Sequence, residues 1–422
     1  MKTAAIILFV AMYTIMIIRP KWRTYIAVIT AVIFVVAGIL PFGSIFTAID
    51  WNVILMITGT MVVVDFFIES KMPNLIADFL LDKAKNVMWV TIFMSLFSGA
   101  ISAFIDNVAT VLMVAPVGLA VCKKLKINPV GMIIAIAVSS NLQGAATLVG
   151  DTTSIMLGAY AHMDFTSFFF MNGRPGIFWA VELGALATVP VMMILFRDQK
   201  HPVSADEYTT VTNYFPTVML AAVVVFLIIA SFIPNKPDVT NGLICCVLAV
   251  ISILYDRLHT QSFEGMKRAV KGIDFNTIFL LMGLFVVIGG VKYVGIIDDV
   301  AGWISKVGGS NIFLLYTIIV WGSVIISAFI DNIPYVATML PVVQSVAALL
   351  GIEPGLLYFG LLSGATLGGN LTPIGASANI TAIGILFREG HDVSMKDFCR
   401  IGIPFTLTAV TVGYLFIWSF WH

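Results

Sequence analysis

Long apolar runs, separated by short polar or charged stretches, dominate this chain. They fall near residues 3–18, 24–40, 51–68, 127–162, 175–196, 214–233, 239–255, 276–292, 352–387 and 400–420. A helix needs about 20 residues to cross the hydrocarbon core of a bilayer, and fewer where its flanks snorkel. Most of these runs fit one crossing each. The runs 127–162 and 352–387 are too long for one straight helix and are rich in Gly, Ser, Thr and Asn, so they predict broken helices. Two further apolar stretches, 88–122 and 312–347, carry Asp-Asn midway and predict helical hairpins that enter and leave on one side. Residues 72–84 and 294–306 mix apolar and charged positions at helical spacing, the pattern of an interfacial helix leading into each hairpin. The opening run follows Lys2 like a signal peptide, but no small-residue cleavage site comes after it. Arg19-Pro20-Lys21-Trp22-Arg23 reads instead as the flank of a retained span.

Composition agrees with lipid as the natural solvent. Of 422 residues, 59% are hydrophobic and 11% charged, against roughly 25% charged in soluble domains. The formal net charge is zero, which offers nothing to a nucleic acid. Lys and Arg favour the cytoplasmic side of a membrane. With the N-terminus outside, ten crossings and two hairpins put 18 of the 23 basic residues on the inner side. Only Lys2, Arg174, Lys236, Lys292 and Lys306 fall outside. The expectation is an integral protein of the cell (inner) membrane with both termini outside. On this reading topology accounts for the basic loops, Arg23 included. Cys122, Cys245, Cys246 and Cys399 show no disulfide framework or metal-ligand spacing. His162, His201, His259, His391 and His422 sit at span ends or in loops, so no metal site is expected beyond Na⁺.

The chain repeats itself. At an offset of 225, Ser102-Ala103-Phe104-Ile105-Asp106-Asn107 recurs as Ser327-Ala328-Phe329-Ile330-Asp331-Asn332. Pro116, Pro129, Gly144, Thr147 and Gly150 fall on Pro341, Pro354, Gly369, Thr372 and Gly375. Asp50-Trp51-Asn52 and Gly59 match Asp274-Phe275-Asn276 and Gly283 one residue out of that register. An odd number of crossings per half makes the second enter the membrane with opposite polarity. The expected fold class is therefore an all-α membrane protein of two inverted-topology repeats. Each has five transmembrane crossings plus one re-entrant helical hairpin, with broken helices at the midplane. The repeats are 1–196 and 214–422, joined by a linker at 197–213.

Non-helical backbone at membrane depth survives only against protein or a wet cavity. The hairpin tips and the two helix breaks are four such places. The candidate substrate and ion-binding residues lie there: Asp106, Asn107, Thr110, Asn141, Gly144, Thr147, Asp151, Asp331, Asn332, Gly369, Asn370, Thr372, Ser377 and Asn379. Glycines let backbone approach an ion closely, hydroxyls and amides supply oxygens, and helix N-termini attract anions. A carboxylate inside the membrane costs a few kcal/mol on insertion scales and is functional by default. Asp106 and Asp331 either cap the second arms of their hairpins, carry a proton or cation, or do both. Asp151 is matched by Ala376 and breaks the symmetry; Asp65, facing Gly289, is a weaker candidate.

At these motifs the chain resembles the ion transporter superfamily, closest to the arsenite-efflux (ArsB)/NhaD-type permeases and the P-protein group. Asp331-Asn332-Ile333-Pro334 and Gly368-Gly369-Asn370-Leu371-Thr372-Pro373-Ile374-Gly375-Ala376-Ser377-Ala378-Asn379 are similar to the P-protein pattern. The more distantly related divalent-anion/sodium symporters carry Ser-Asn-Thr at both tips, where this chain has Asp106-Asn107-Val108 and Asp331-Asn332-Ile333. The resemblance implies a homodimer with a scaffold and a mobile transport domain that moves as an elevator. It also implies no cofactor, with Na⁺ or H⁺ as coupling ion. The expected function is cation-coupled secondary active transport of a small inorganic ion or neutral oxyacid, with arsenite/antimonite efflux or Na⁺/H⁺ exchange leading. Na⁺- or H⁺-coupled dicarboxylate or citrate transport is the alternative, and an intramembrane aspartyl protease and a passive channel stand behind it. The expected partners are the lipid bilayer and a small substrate; no enzyme activity is expected.

Overall fold

The computed structural model describes residues 1–201, 209–309 and 311–422. Twenty α-helices lie within them. In the first half these are α1 (Lys2–Ile18), α2 (Arg23–Val36), α3 (Ile45–Ala48), α4 (Trp51–Glu69) and α5 (Met72–Lys83). A hairpin of α6 (Val87–Ser102) and α7 (Asn107–Leu125) follows, then α8 (Val130–Gln143), α9 (Thr152–Tyr160) and α10 (Ile177–Leu195). The second half opens with α11 (Phe215–Ser231), α12 (Thr240–Thr260), α13 (Glu264–Gly272), α14 (Phe275–Tyr293) and α15 (Ile296–Gly308). It continues with α16 (Ile312–Ser327), α17 (Asn332–Leu350), α18 (Gly355–Gly368), α19 (Ser377–Arg388) and α20 (Met395–Trp421).

Seven helices among the described residues are long and apolar enough to cross a membrane: α4, α7, α10, α12, α14, α17 and α20. Four more, α1, α6, α8 and α11, are apolar but shorter. The hairpin arms α7 and α17 have 19 residues each, as long as full spans, so length does not mark them as re-entrant.

The sequence repeat is visible in local structure. Helices α6 to α9 begin at positions that α16 to α19 reproduce at the same offset of 225. The side chains of Asn86 and Asn311 cap α6 and α16, accepting from Trp89 N at 3.1 Å and Leu314 N at 3.0 Å. Asp50 and Asp274 cap α4 and α14 through Val53 N and Thr277 N. Short polar side chains favour these caps because they satisfy amides that have no intrahelical partner.

The two halves interleave. Helix α4 packs along α12, and α14 along α2. Glycine sets both approaches: a Cβ on Gly59 would lie 2.5 Å from the Cys245 carbonyl carbon, and one on Gly283 would lie 2.8 Å from that of Ala27. Small residues at such crossings let helix backbones meet where lipid gives no hydrophobic drive. Within each half, α6 packs along α8 and α16 along α18.

One expectation needs correcting. The chain is not wholly α: Phe170–Met171 pairs antiparallel with Arg174–Pro175. Asn172 and Gly173, with φ of 54° and 75°, make the tight turn between them, the residue pair that favours two-residue hairpins. Of the linker, Asp206 and Glu207 lie outside the described residues. Its first end is tied to α6, with Val87 N and Met88 N donating to the carbonyls of His201 and Gln199. At its other end, Thr209 binds the Asp78 carboxylate through backbone N–H and hydroxyl.

Candidate functional site

The hairpin tips (103–106 and 328–331) and the helix breaks (144–151 and 369–376) come together. Each hairpin tip is tied to the break of its own half. Thr147 donates its hydroxyl to the Ala103 carbonyl, and its repeat mate Thr372 donates to that of Ala328. Ser154 Oγ donates to the Gly144 carbonyl at 3.1 Å, and its mate Asn379 Nδ2 to that of Gly369 at 3.0 Å. Gly150 and Gly375 pass so close to neighbouring backbone that any larger residue would force it to shift. A Cβ on Gly150 would sit 2.6–2.8 Å from the carbonyl oxygens of Gly144, Ser102 and Ala103. One on Gly375 would sit 2.5–2.9 Å from those of Gly369, Ser327 and Ala328.

The halves are then joined by amides. Asn107 Nδ2 donates to Asn141 Oδ1 at 2.9 Å, and Asn141 Nδ2 donates to Asn370 Oδ1 at 3.0 Å and the Thr366 carbonyl at 2.6 Å. Asn370 Nδ2 closes the set on the Val138 carbonyl at 2.9 Å. All of these side chains are buried. Satisfied amides at such depth fix the backbone, since an unpaired one would cost 1–3 kcal/mol.

A cavity of about 990 Å³ opens onto this junction, large enough for a small organic molecule. Five predicted residues line it: Asp106, Asn107, Asp151, Asn332 and Ser377. Arg23, Asp65 and Asp274 line it as well. Thr110, Asn141, Gly144, Thr147, Gly369, Asn370, Thr372 and Asn379 lie behind the lining. Most of their polar atoms are spent on holding the frame; Asn379 Oδ1 is buried with no hydrogen-bond partner among the described residues. Thr110 bonds weakly to the Ile105 carbonyl at 3.5 Å.

The three acids differ in their company. Asp106 Oδ2 accepts from Val108 N and Ala109 N at 3.0 and 3.2 Å. It therefore caps α7, and no basic side chain among the described residues pairs with it. Asp151, 2% exposed, accepts from Thr152 N and Thr153 Oγ1, both at 2.8 Å, and from Asn332 Nδ2 at 3.4 Å. It too has no cation among the described residues. Asp331 caps α17 through Ile333 N at 3.2 Å, but it is also ion-paired to Arg23. Ser377 Oγ donates to Asp331 Oδ2 at 2.8 Å and accepts from both terminal nitrogens of Arg23 at 3.2 Å.

This corrects the reading of Arg23 as a loop charge set by topology alone. Its guanidinium reaches the tip of the second hairpin. Asp65 is paired with Arg268 at 3.0 Å on the cavity wall.

A second, smaller cavity of about 190 Å³ is lined by Asp50, Asn52, His162, Asp164, Lys236, Asp238 and Asn241 among others. Asp50 and Asn52 are the repeat mates of Asp274 and Asn276, which line the large cavity. Lys236 closes on Asp164 in an ion pair there.

Comparison with known proteins agrees with this architecture. The transporter YdaH of Alcanivorax borkumensis superposes with a TM-score of 0.62 at 12% identity, over 89% of this chain and 87% of that one. MtrF of Neisseria gonorrhoeae, from a class of antimetabolite efflux pumps, gives 0.59 at 14% identity, over 92% and 83%. At such identities the likeness is one of fold. An uncharacterized transporter of Mycobacterium bovis is 31% identical over 99% of this chain and 98% of its own length. The P protein of Mus musculus is 25% identical over 98% of this chain and 60% of its own length. Helices, cavity and relatives together define an integral membrane transporter. The pattern of CitMHS, described as citrate transporter, matches residues 13–359 and 242–422. The chain belongs to that family. Its likeness to arsenite-efflux and NhaD-type permeases rests on the sequence motifs alone.

Proposed function

We propose that this protein is a cation-coupled secondary transporter in which Asp106 and Asp151 hold the coupling H⁺ or Na⁺. The observation that carries the reading is a pair of carboxylates at helix breaks beside a large cavity, with no cation assigned to either among the described residues. Intramembrane acids of this kind mark ion pathways. Thr153 Oγ1 and the Asn332 amide add polar groups at Asp151.

The repeat supports alternating access. On the inverted-repeat reading, with 1–196 and 214–422 of opposite polarity, Asp274 and Asp50 stand at opposite membrane faces. The large cavity lies on the Asp274 side and the small one on the Asp50 side. One open and one constricted vestibule is the form a transporter takes when facing one side only. The positive-inside count makes the open side cytoplasmic. Homodimerisation and an elevator motion belong to the same proposal.

Two cargo classes follow. The family match favours a citrate-type carboxylate. The lining favours a cation or a neutral oxyacid: Asp65, Asp106, Asp151 and Asp274 outnumber Lys21 and Arg23. A free tricarboxylate would have to arrive with its charge offset by the coupled cations.

Flux into proteoliposomes, with pH and Na⁺ gradients imposed separately, tests the proposal. Citrate, Na⁺ and arsenite serve in turn as cargo. Uphill accumulation driven by one of the cation gradients is expected for the wild type and absent in the Asp106→Asn/Asp151→Asn variant. Equal accumulation by a folded double variant would refute the assignment.

A further inference from the structure

The two hairpin acids stand in one repeated frame, yet one carries a guanidinium and the other does not. We infer that Arg23 is a resident cation for the Asp331 site, so that only the Asp106 site needs a mobile one. The inference rests on the coupled-transport reading above and assigns Arg23 a coupling-determining role within it.

Three observations carry it. Arg23 is held by two partners that bind each other: it pairs with Asp331, and both its terminal nitrogens reach Ser377 Oγ, which itself binds Asp331. The pair is well shielded, with side-chain exposures of 24% for Arg23 and 11% for Asp331. A guanidinium keeps its charge at every accessible pH, and its tether to α2 keeps it from leaving with a substrate.

The second observation is the residue at the corresponding place in the other half. Gly283 on α14 meets α2 at Ala27–Val28, and its mate Gly59 on α4 meets α12 at Cys245–Cys246, through the same backbone atoms. Counting back one helical turn from each contact gives Arg23 on α2 and Asn241 on α12. Asn241 is neutral and lines the small cavity. The half that would supply a cation to Asp106 therefore supplies an amide.

The third is the added acid. Asp151 stands where the second half has Ala376. The tip and break without a tethered cation carry two carboxylates and those with one carry a single carboxylate, while Asp274, the cap of α14, acts on Arg23 and Asp106 alike. An extra negative charge suits a site that must attract a mobile cation and release it again.

The expected consequence is one mobile cation per cycle at these two repeat-related sites. Cation stoichiometry would be measured on full-length protein in nanodiscs. Na⁺ would be titrated calorimetrically at fixed pH, proton uptake followed with an indicator dye, and the Hill coefficient of cation-driven flux measured in proteoliposomes. Arg23→Gln should raise the stoichiometry by one as a second cation fills the vacated place on Asp331. Arg23→Gln/Asp331→Asn should return it to the wild-type value, and Arg23→Lys should leave it there. A folded Arg23→Gln with wild-type stoichiometry overturns the inference. Asp331→Asn alone is a second test that does not depend on Arg23→Gln folding. It should leave the count unchanged, and a fall by one would show that Asp331 itself held a mobile ion. Binding counts are read without flux, so loss of coupled transport in the wild type would sink the functional reading and leave this one to be judged separately.

Discussion

At Asp106 and at Asp331 the chain turns in the same way. Each acid caps the second arm of a hairpin, a threonine hydroxyl from the adjacent break holds each tip, and a glycine slides against three carbonyls beside it. The surroundings of the carboxylates are not alike. Asp331 faces Arg23 and Ser377, whereas Asp106 shares the cavity lining with Asp151. A duplicated backbone thus fixes where an ion site can exist, and the side chains in which the two halves differ decide whether it is filled. That division can be tested: changes to the frame should act equally in both halves, and changes to the charges should not.

The largest asymmetry is expected from Asp151→Ala, which gives the first break the residue found in the second. Losing a charged ligand at a buried cation site is worth about 2.7 kcal/mol, or about 100-fold in affinity. Cation-driven accumulation should fall by about that factor at cation concentrations well below saturation. A loss below threefold, measured as initial rate in proteoliposomes, would mean that Asp106 alone suffices.

Frame changes come next. Gly150→Ala and Gly375→Ala each force a methyl group to within 2.5–2.9 Å of three carbonyl oxygens. Overpacking of this order destabilises by about 1–3 kcal/mol. Thermal unfolding of the detergent-solubilised protein should show similar drops for the two variants. A drop in one alone would break the claim of a common frame.

The repeat explains what was legible in the sequence and what was not. The hexapeptide Ser102–Asn107 and its copy show the tips, and the Gly, Thr and Asn content of the following runs shows the breaks, because backbone leaving a helix in lipid needs those residues. Arg23 was hidden for two reasons. It lies 308 residues from its partner, and a basic residue beside a span already satisfies the positive-inside pattern. The mate that would have exposed it, Asn241, lies on helices that do not share the 225-residue register. The hydroxyls and amides of the breaks raised a different difficulty. Sequence marks them as oxygen donors to an ion, whereas Thr147, Thr372, Asn141 and Asn370 bind the chain itself. Residue type alone does not separate these uses. Asn172-Gly173 is a local hairpin signal, but it lies between two apolar runs whose helical pattern carries no trace of so short a strand pair.

Thr147→Val and Thr372→Val probe the same frame more gently. Each removes one hydroxyl donor to a tip carbonyl, a change worth about 0.5–1.5 kcal/mol. Both should lower the unfolding midpoint by a similar, smaller step than the glycine variants. Cation stoichiometry should stay put, since neither threonine lines the cavity. A change in stoichiometry in either variant would return that threonine to the list of ion ligands.

The smallest effect is expected at the cavity wall, where Arg268 pairs with Asp65 at 3.0 Å and lies 3.6 Å from Glu69. This cluster looks like the Arg23 pair in composition but not in setting. Side-chain exposures of 38% for Arg268, 21% for Asp65 and 63% for Glu69 leave it within reach of solvent and salt. Exposed pairs are worth roughly 0–1 kcal/mol, and the Debye length shrinks to about 3 Å at 1 M salt. Arg268→Gln should therefore lower stability slightly in dilute buffer and not at all in 1 M choline chloride, a salt whose cation is too large for a small-ion site. Arg23→Gln, which leaves Asp331 shielded and unpaired, should cost more, and the cost should persist in choline chloride. If the Arg268 effect also survives salt, the wall is as dry as the hairpin tip. The contrast between a tethered cation at the tip and an ordinary ion pair at the rim then has no physical basis.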